Sequence, residues 1–458
     1  QHSNNVMTEQ IALSLPLYAD KQRISTYPKT FAYIHQWWQQ KLPQAQPPVM
    51  TRASGLCRDC RVAPSGRRQA LGCTPVNAVN NNQRRTEIDL IRGIALLFIV
   101  VDHVNGSVLA DYTIRNFQLF DAAEVFVFLA GCSAGAAYLA MEARDGASAA
   151  RKRLRRRSWE IYKAFVLTGV LMLLFGFLLA MCKIPAPAVR ATEAPDFMAQ
   201  PIATLLQVFA LARQPFVSDV LPMYAVFIGV APLTIRWARA QPLAFICGSV
   251  ALWIMSPTLL PLLPSSEPRG WSFNPFAWQL MFAMGLLARL RPDFVLPQQT
   301  IVRRAFTAGA VVVALLCMAA AYLWMRPHLY EAWLPAWIPT MAFPLPKQSL
   351  AALRVVSFLG LAWLVYLAVR AGWVERLARF MGPVVQIGRH SLFCFVLGAV
   401  VSVGIEGLTY GLAGGRPTRP VALTGDIIAV AVLLVVGGWY GRRKEARKVA
   451  AKARMVSA

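Results

Sequence analysis

From Ile88 to Tyr440 the chain alternates long apolar runs with short loops rich in Pro, Arg and Lys. The runs predict transmembrane helices at Ile88–Leu109, Phe120–Met141, Ile161–Cys182, Leu221–Ile235, Leu243–Leu263, Phe276–Leu290, Ala305–Met325, Leu350–Val369, Val384–Val403 and Val421–Tyr440. Most approach the roughly 20 residues a helix needs to cross about 30 Å of hydrocarbon. Ile202–Ala212 reads as a shorter re-entrant or amphipathic piece. The expected class is therefore all-α: a polytopic membrane helix bundle of about ten transmembrane helices.

Basic residues occupy alternate loops. Arg84, Arg85 and Arg92 flank the first run, and Arg144 with the run Arg151–Arg157 fills the loop after the second. Arg236 and Arg239 follow the fourth, Arg289, Arg291, Arg303 and Arg304 the sixth, and Arg370, Arg376 and Arg379 the eighth. Arg442, Arg443, Lys444, Arg447 and Lys448 follow the tenth. An even number of crossings with both termini cytoplasmic gives this pattern under the positive-inside rule. The other loops, Ile184–Pro201 and Pro327–Lys347 among them, carry more Pro, Trp and acids.

Composition agrees. Of 458 residues, 56% are hydrophobic and 15% charged, where a soluble chain of this length would split into domains and carry far more charge. The net charge of +25 raises the question of nucleic acid, but the cations sit between apolar runs rather than in aromatic-interleaved stripes. The expected partner is the lipid bilayer, with no nucleic acid. Residues 1–83 form a polar extension, read as disordered, without the basic and apolar regions of a secretory signal peptide. Residues 84–441 form the membrane domain and 442–458 a basic cytoplasmic tail. Cys57-Arg-Asp-Cys60 lacks a second pair or a nearby histidine, so no metal site is expected.

The chemistry concentrates in Glu87–Glu124. Ionisable groups at membrane depth are costly and point to a functional site. On a helix, Asp89, Arg92, Leu96 and His103 share one stripe. Asp89 and Arg92 can pair, and His103 lies roughly 21 Å further along at 1.5 Å per residue. Asp102 points about 100° away. On the second run Asp121, Glu124, Phe128, Gly131 and Gly135 share a face, and Gly131–Gly135 is a small-xxx-small pattern for close helix approach. The expectation is that this face docks on the first helix, bringing Asp121 or Glu124 to His103. Arg115 and Asn116 lie at the same level, and Arg354 at the same end of the eighth run. Gly388-Arg-His-Ser391 forms a second polar layer, with Arg389 and His390 level with Asp89 and Arg92. No Walker loop, GxGxxG, HExxH or GxSxG occurs.

Several stretches resemble the OpgC-type succinyltransferases of osmoregulated periplasmic glucans, a branch related to the acyltransferase-3 membrane proteins. They are Glu87–Leu97, Asp102-His103, Thr113–Phe117, Asp121–Gly131, Leu221-Pro-Met-Tyr224, Phe273–Gln279 and Gly388–Leu392. They fall in order across some four fifths of the chain and leave out residues 1–83. The resemblance implies an inner-membrane enzyme moving a succinyl group from a cytoplasmic acyl-CoA, a co-substrate rather than a bound cofactor, to glucan hydroxyls outside. On that basis His103 is expected as general base or acyl carrier, with Glu124 or Asp121 holding its tautomer. Arg115 and Arg354 would meet the oxyanion or a succinyl carboxylate. Arg92, Arg389 and His390 would meet the donor, with Asp89, Asp102 and Asn116 as further binding residues. The rival readings are an O-acetyltransferase for another envelope glycan and a non-enzymatic transporter of a glycan or acyl carrier.

Overall fold

Apolar runs without alternation can satisfy their backbone groups in lipid only by closing hydrogen bonds within each segment, and the fold follows that rule. The computed structural model describes residues 86–268, 270–324 and 345–456. The polar extension, its cysteines Cys57, Cys60 and Cys73, and Trp333 and Trp337 of the Pro327–Lys347 loop lie outside the described residues. Among the described residues every regular element is a helix. The principal ones are α1 (Thr86–Asp102), α2 (Ala122–Met181), α3 (Val220–Ala240), α4 (Pro242–Ile254), α5 (Pro275–Leu290) and α6 (Thr300–Trp324). They continue with α7 (Ala352–Arg370), α8 (Trp373–Phe380), α9 (Gly382–Arg389), α10 (Ser391–Ala413) and α11 (Arg419–Val456).

Six of the described helices are long and apolar enough to cross a membrane, or seven if α4 and the piece after it, bent by 65°, form one broken span. That is fewer than the ten runs predicted, for two reasons. Helix α2, 60 residues long, joins the second and third runs in one element, and Gly146, at φ 85°, divides it into arms 122–145 and 147–181. A backbone with positive φ is open to glycine at no steric cost. Helices α1 and α5 are also short, at 17 and 16 residues. Helix α11 runs unbroken from Arg419 to Val456, into the residues expected as a basic tail.

Helix α2 is central and packs on α3, α5, α10 and α1. Buried Trp278, Phe165, Met172, Met223 and Leu286 fill the core around it. The outer faces keep large apolar side chains exposed, among them Val312, Leu315 and Leu316 of α6 and Leu233 of α3. Large apolar side chains exposed on helices this long and apolar need lipid to cover them. The chain is a membrane protein.

The small-residue face of α2 packs differently from the expectation. A Cβ at Gly131 would run into the Phe282 carbonyl of α5, and one at Gly285 of α5 into the Phe128 carbonyl of α2. The glycines thus dock α2 on α5, not on α1. The close partner of α1 is α9, where Gly93 faces the Val384 carbonyl and Gly388 the Asp89 carbonyl.

Candidate functional site

Two polar layers lie at opposite ends of α1. At the Arg-rich end, Asp89 sits between two guanidiniums, with Arg92 Nη1 at 3.9 Å and Arg389 Nε at 3.5 Å. Arg92 also donates to the Leu129 carbonyl (3.2 Å) and to Ser133 Oγ (2.6 Å), which ties α1 to α2. His390 stands at the break between α9 and α10, its ring edge-on to Tyr440 at 5.4 Å. Arg92, Arg153, Arg157, Tyr224 and Ser391 help line a cavity of about 240 Å³.

At the far end α1 stops at Asp102, so His103 lies in the turn that follows rather than within the span. Two buried carboxylates explain the stop. Glu406 Oε2 of α10 accepts from the Asn105 backbone N–H (3.0 Å) and from Asn105 Nδ2 (2.9 Å). Asp426 Oδ2 of α11 accepts from the backbone N–H groups of Val108 (2.8 Å) and Leu109 (2.9 Å). Gly106, at φ 83°, turns the chain between them. N–H groups that would otherwise extend the helix are captured by acids from the last two spans.

The His103 ring is fixed by its own helix. Its Nδ1 lies 2.7 Å from the Ile99 carbonyl oxygen, which can only accept, so Nδ1 carries the proton and Nε2 the lone pair. The ring also packs edge-on against Phe216 at 5.4 Å. Asp102 accepts from Thr113 Oγ1 (2.7 Å) and pairs with Arg115 Nε (3.3 Å). Asn116 donates from Nδ2 to the Ala110 carbonyl (2.7 Å), a tie within the turn. Asp102, His103, Asn105, Phe216 and the stretches Ile184–Pro187 and Val189–Ala191, with exposed Arg190, line a cavity of about 870 Å³.

Asp121 and Glu124 are engaged elsewhere, so the expectation that one of them holds the His103 tautomer is corrected. They cap α2 in a reciprocal capping box: Asp121 accepts from the Ala123 N–H, and Glu124 Oε2 from the Asp121 N–H. Arg354 reaches both, at 2.6 Å to Glu124 Oε1 and 3.1 Å to Asp121 Oδ2, and Lys347 Nζ lies 2.8 Å from Asp121 Oδ2. Burial works against the Lys347 ammonium, but Asp121 and Glu124 beside it outweigh that and raise its pKa above the ordinary value. The two acids and two bases balance, with the Arg354 guanidinium held by carboxylates of its own chain.

Sequence reasoning brought Asp89, Arg92, Arg389 and His390 to one end and Asp102, His103, Arg115 and Asn116 to the other, as the structure does. It missed Glu406 and Asp426. The signal was present, since each is a lone acid in an apolar run, the same criterion that singled out the first span. It also counted Arg153 and Arg157 only as loop charges. No group of three or more His, Cys, Asp or Glu among the described residues is placed to hold a metal.

Residues 84–445 match the family model described as OpgC protein. No curated protein and no solved structure matches the chain.

Proposed function

The chain belongs to the OpgC protein family, and on that premise we propose that it is an integral membrane acyltransferase, moving an acyl group, succinyl by preference, from a cytoplasmic acyl-CoA to hydroxyls of a periplasmic glucan. The observation that carries this reading is the 2.7 Å approach of His103 Nδ1 to the Ile99 carbonyl oxygen, which assigns the tautomer. Its Nδ1–H is committed to Ile99, so Nε2 presents a basic lone pair beside a cavity wide enough for a sugar.

In the proposed reaction a glucan hydroxyl binds at the His103 cavity and gives its proton to Nε2. The oxygen attacks the thioester carbonyl carbon, the tetrahedral intermediate collapses, and the C–S bond breaks. The imidazolium returns the proton to the departing thiolate, which leaves the ester and free CoA. The Ile99 carbonyl steadies the imidazolium that forms between the two proton transfers. Arg190, on the wall of the same cavity, supplies the charge that a succinyl carboxylate needs.

The donor belongs at the opposite end. Arg92, Arg153 and Arg157 bring three positive charges to one narrow cavity, as an anionic nucleotide donor requires. With the basic loops facing the cytoplasm, both termini are inside, the ten runs cross the inner membrane, and the His103 cavity opens to the periplasm.

The test is a strain whose only copy carries His103→Ala at wild-type protein level. Mass spectrometry of its periplasmic glucans is expected to show no succinyl ester, and normal succinylation would overturn the assignment. Loss of acetyl rather than succinyl esters would redirect the acyl group. Purified protein that moves glycan across liposomes without transferring any acyl group would replace the enzyme with a transporter.

A further inference from the structure

The cavity at the Arg-rich end is a shaft. Along the first arm of α2 its wall runs from Phe126 to Ala137, eleven residues and so roughly 16 Å of helix. Arg153 and Arg157, on the second arm of α2, line its charged end. Phe126, Leu221, Tyr224 and Phe395 also line it, and Phe126 lies 5.6 Å from Tyr224 and 6.3 Å from Phe395, ring to ring. The segment that leads into α3 carries Phe216, in contact with His103, and Tyr224 stands just past the first turn of α3. Along the chain, eight positions separate Tyr224 at the aromatic end of the shaft from Phe216 on the wall of the His103 cavity.

Tyr224 is 6% exposed, and its hydroxyl has no hydrogen-bond partner among the described residues. A desolvated hydroxyl without a partner destabilises a fold, and a phenylalanine would fill the same space without that cost. The hydroxyl is therefore explained by something that enters the shaft. Arg153 and Arg157 at one end, a barrel whose further polar lining is Arg92, Ser133 and Ser391, and Tyr224 beside Phe126 match a long thioester whose phosphates stay at the mouth and whose carbonyl lies deep.

We propose that Tyr224 is a donor-site catalytic residue whose hydroxyl donates a hydrogen bond to the thioester carbonyl oxygen of an acyl donor held at its phosphates by Arg153 and Arg157. This rests on the acyl-CoA reading above. As the acceptor oxygen attacks and the C–S bond breaks, negative charge grows on the carbonyl oxygen. Tyr224 keeps its proton throughout and strengthens its hydrogen bond to that oxygen, while the acceptor's proton travels through His103 to the thiolate.

The experiment compares purified full-length wild type and Tyr224→Phe, with succinyl-CoA and glucan as substrates. Wild-type transfer establishes the underlying reading, and its absence would sink that reading rather than this inference. Given wild-type transfer, Tyr224→Phe is expected to lower kcat on the order of 10²-fold, to leave the KM for succinyl-CoA nearly unchanged, and to match or exceed wild type in donor-free thermal stability. Unchanged kcat overturns the proposal. So does a variant that loses stability together with turnover, since the hydroxyl would then already be partnered in the resting protein.

Discussion

Replacing Arg354 by methionine separates a structural from a substrate-binding role for the buried ion cluster. Methionine keeps an unbranched stem in the same space and removes the guanidinium. Glu124 is 0% exposed and the Arg354 side chain 11%, so little solvent screens the charge left behind. Removing one partner of a buried pair costs about 3–5 kcal/mol. The lower end applies here, near 3 kcal/mol, because Lys347 still neutralises Asp121 and the cost falls mainly on Glu124. The double variant Arg354→Met, Glu124→Gln removes charge and counter-charge together and is expected to recover about 2 kcal/mol of that loss. Unfolding of purified protein in one fixed detergent measures the stability, and succinyl transfer per folded molecule measures function. The expected result is a large stability loss, partial rescue in the double variant, and turnover within severalfold of wild type. A stable Arg354→Met protein that has lost succinyl but kept acetyl transfer would refute the reasoning and return Arg354 to the substrate.

Glu406→Gln keeps the shape but puts an amide nitrogen against N–H donors, since Glu406 also accepts from the Ala188 N–H (2.6 Å) across the His103 cavity. The KM for glucan should rise about tenfold or more while that for succinyl-CoA holds, equivalent to about 1.4 kcal/mol lost in acceptor binding; equal changes in both would contradict a role confined to the acceptor cavity. Gly285→Leu forces α5 off α2, and a cost of about 3 kcal/mol or more, or failure to accumulate, is expected from overpacking at a backbone contact. Wild-type stability in that variant would show that the helices do not meet there.

Much of the fold was legible because lipid makes each segment satisfy its own backbone, and a long apolar run then has few alternatives. The limits lie in what a run cannot encode. The stripe Asp89, Arg92, Leu96 predicted which side of α1 is polar, and Arg92 and Asp89 meet there. Extending the same 100° step to His103 went one residue too far, since the helix ends at Asp102 under the pull of Glu406 and Asp426, some 300 residues away. Gly131 and Gly135 announced a close helix approach without naming the partner, which is α5. Glu124 meets Arg354 across 230 residues, a pairing no local period contains. The polar side chains at both ends were therefore found by type, while their partners required the tertiary structure.

The central claim is that His103 Nε2 is the base that activates a glucan hydroxyl, and succinyl transfer by purified His103→Gln protein tests it most directly. Glutamine retains hydrogen bonding at the site but cannot take up a proton. The account predicts that turnover falls on the order of 10²- to 10⁴-fold, the usual contribution of general-base catalysis, while succinyl-CoA binding and thermal stability stay at wild-type levels. A variant that transfers succinyl at the wild-type rate with intact binding would contradict the account.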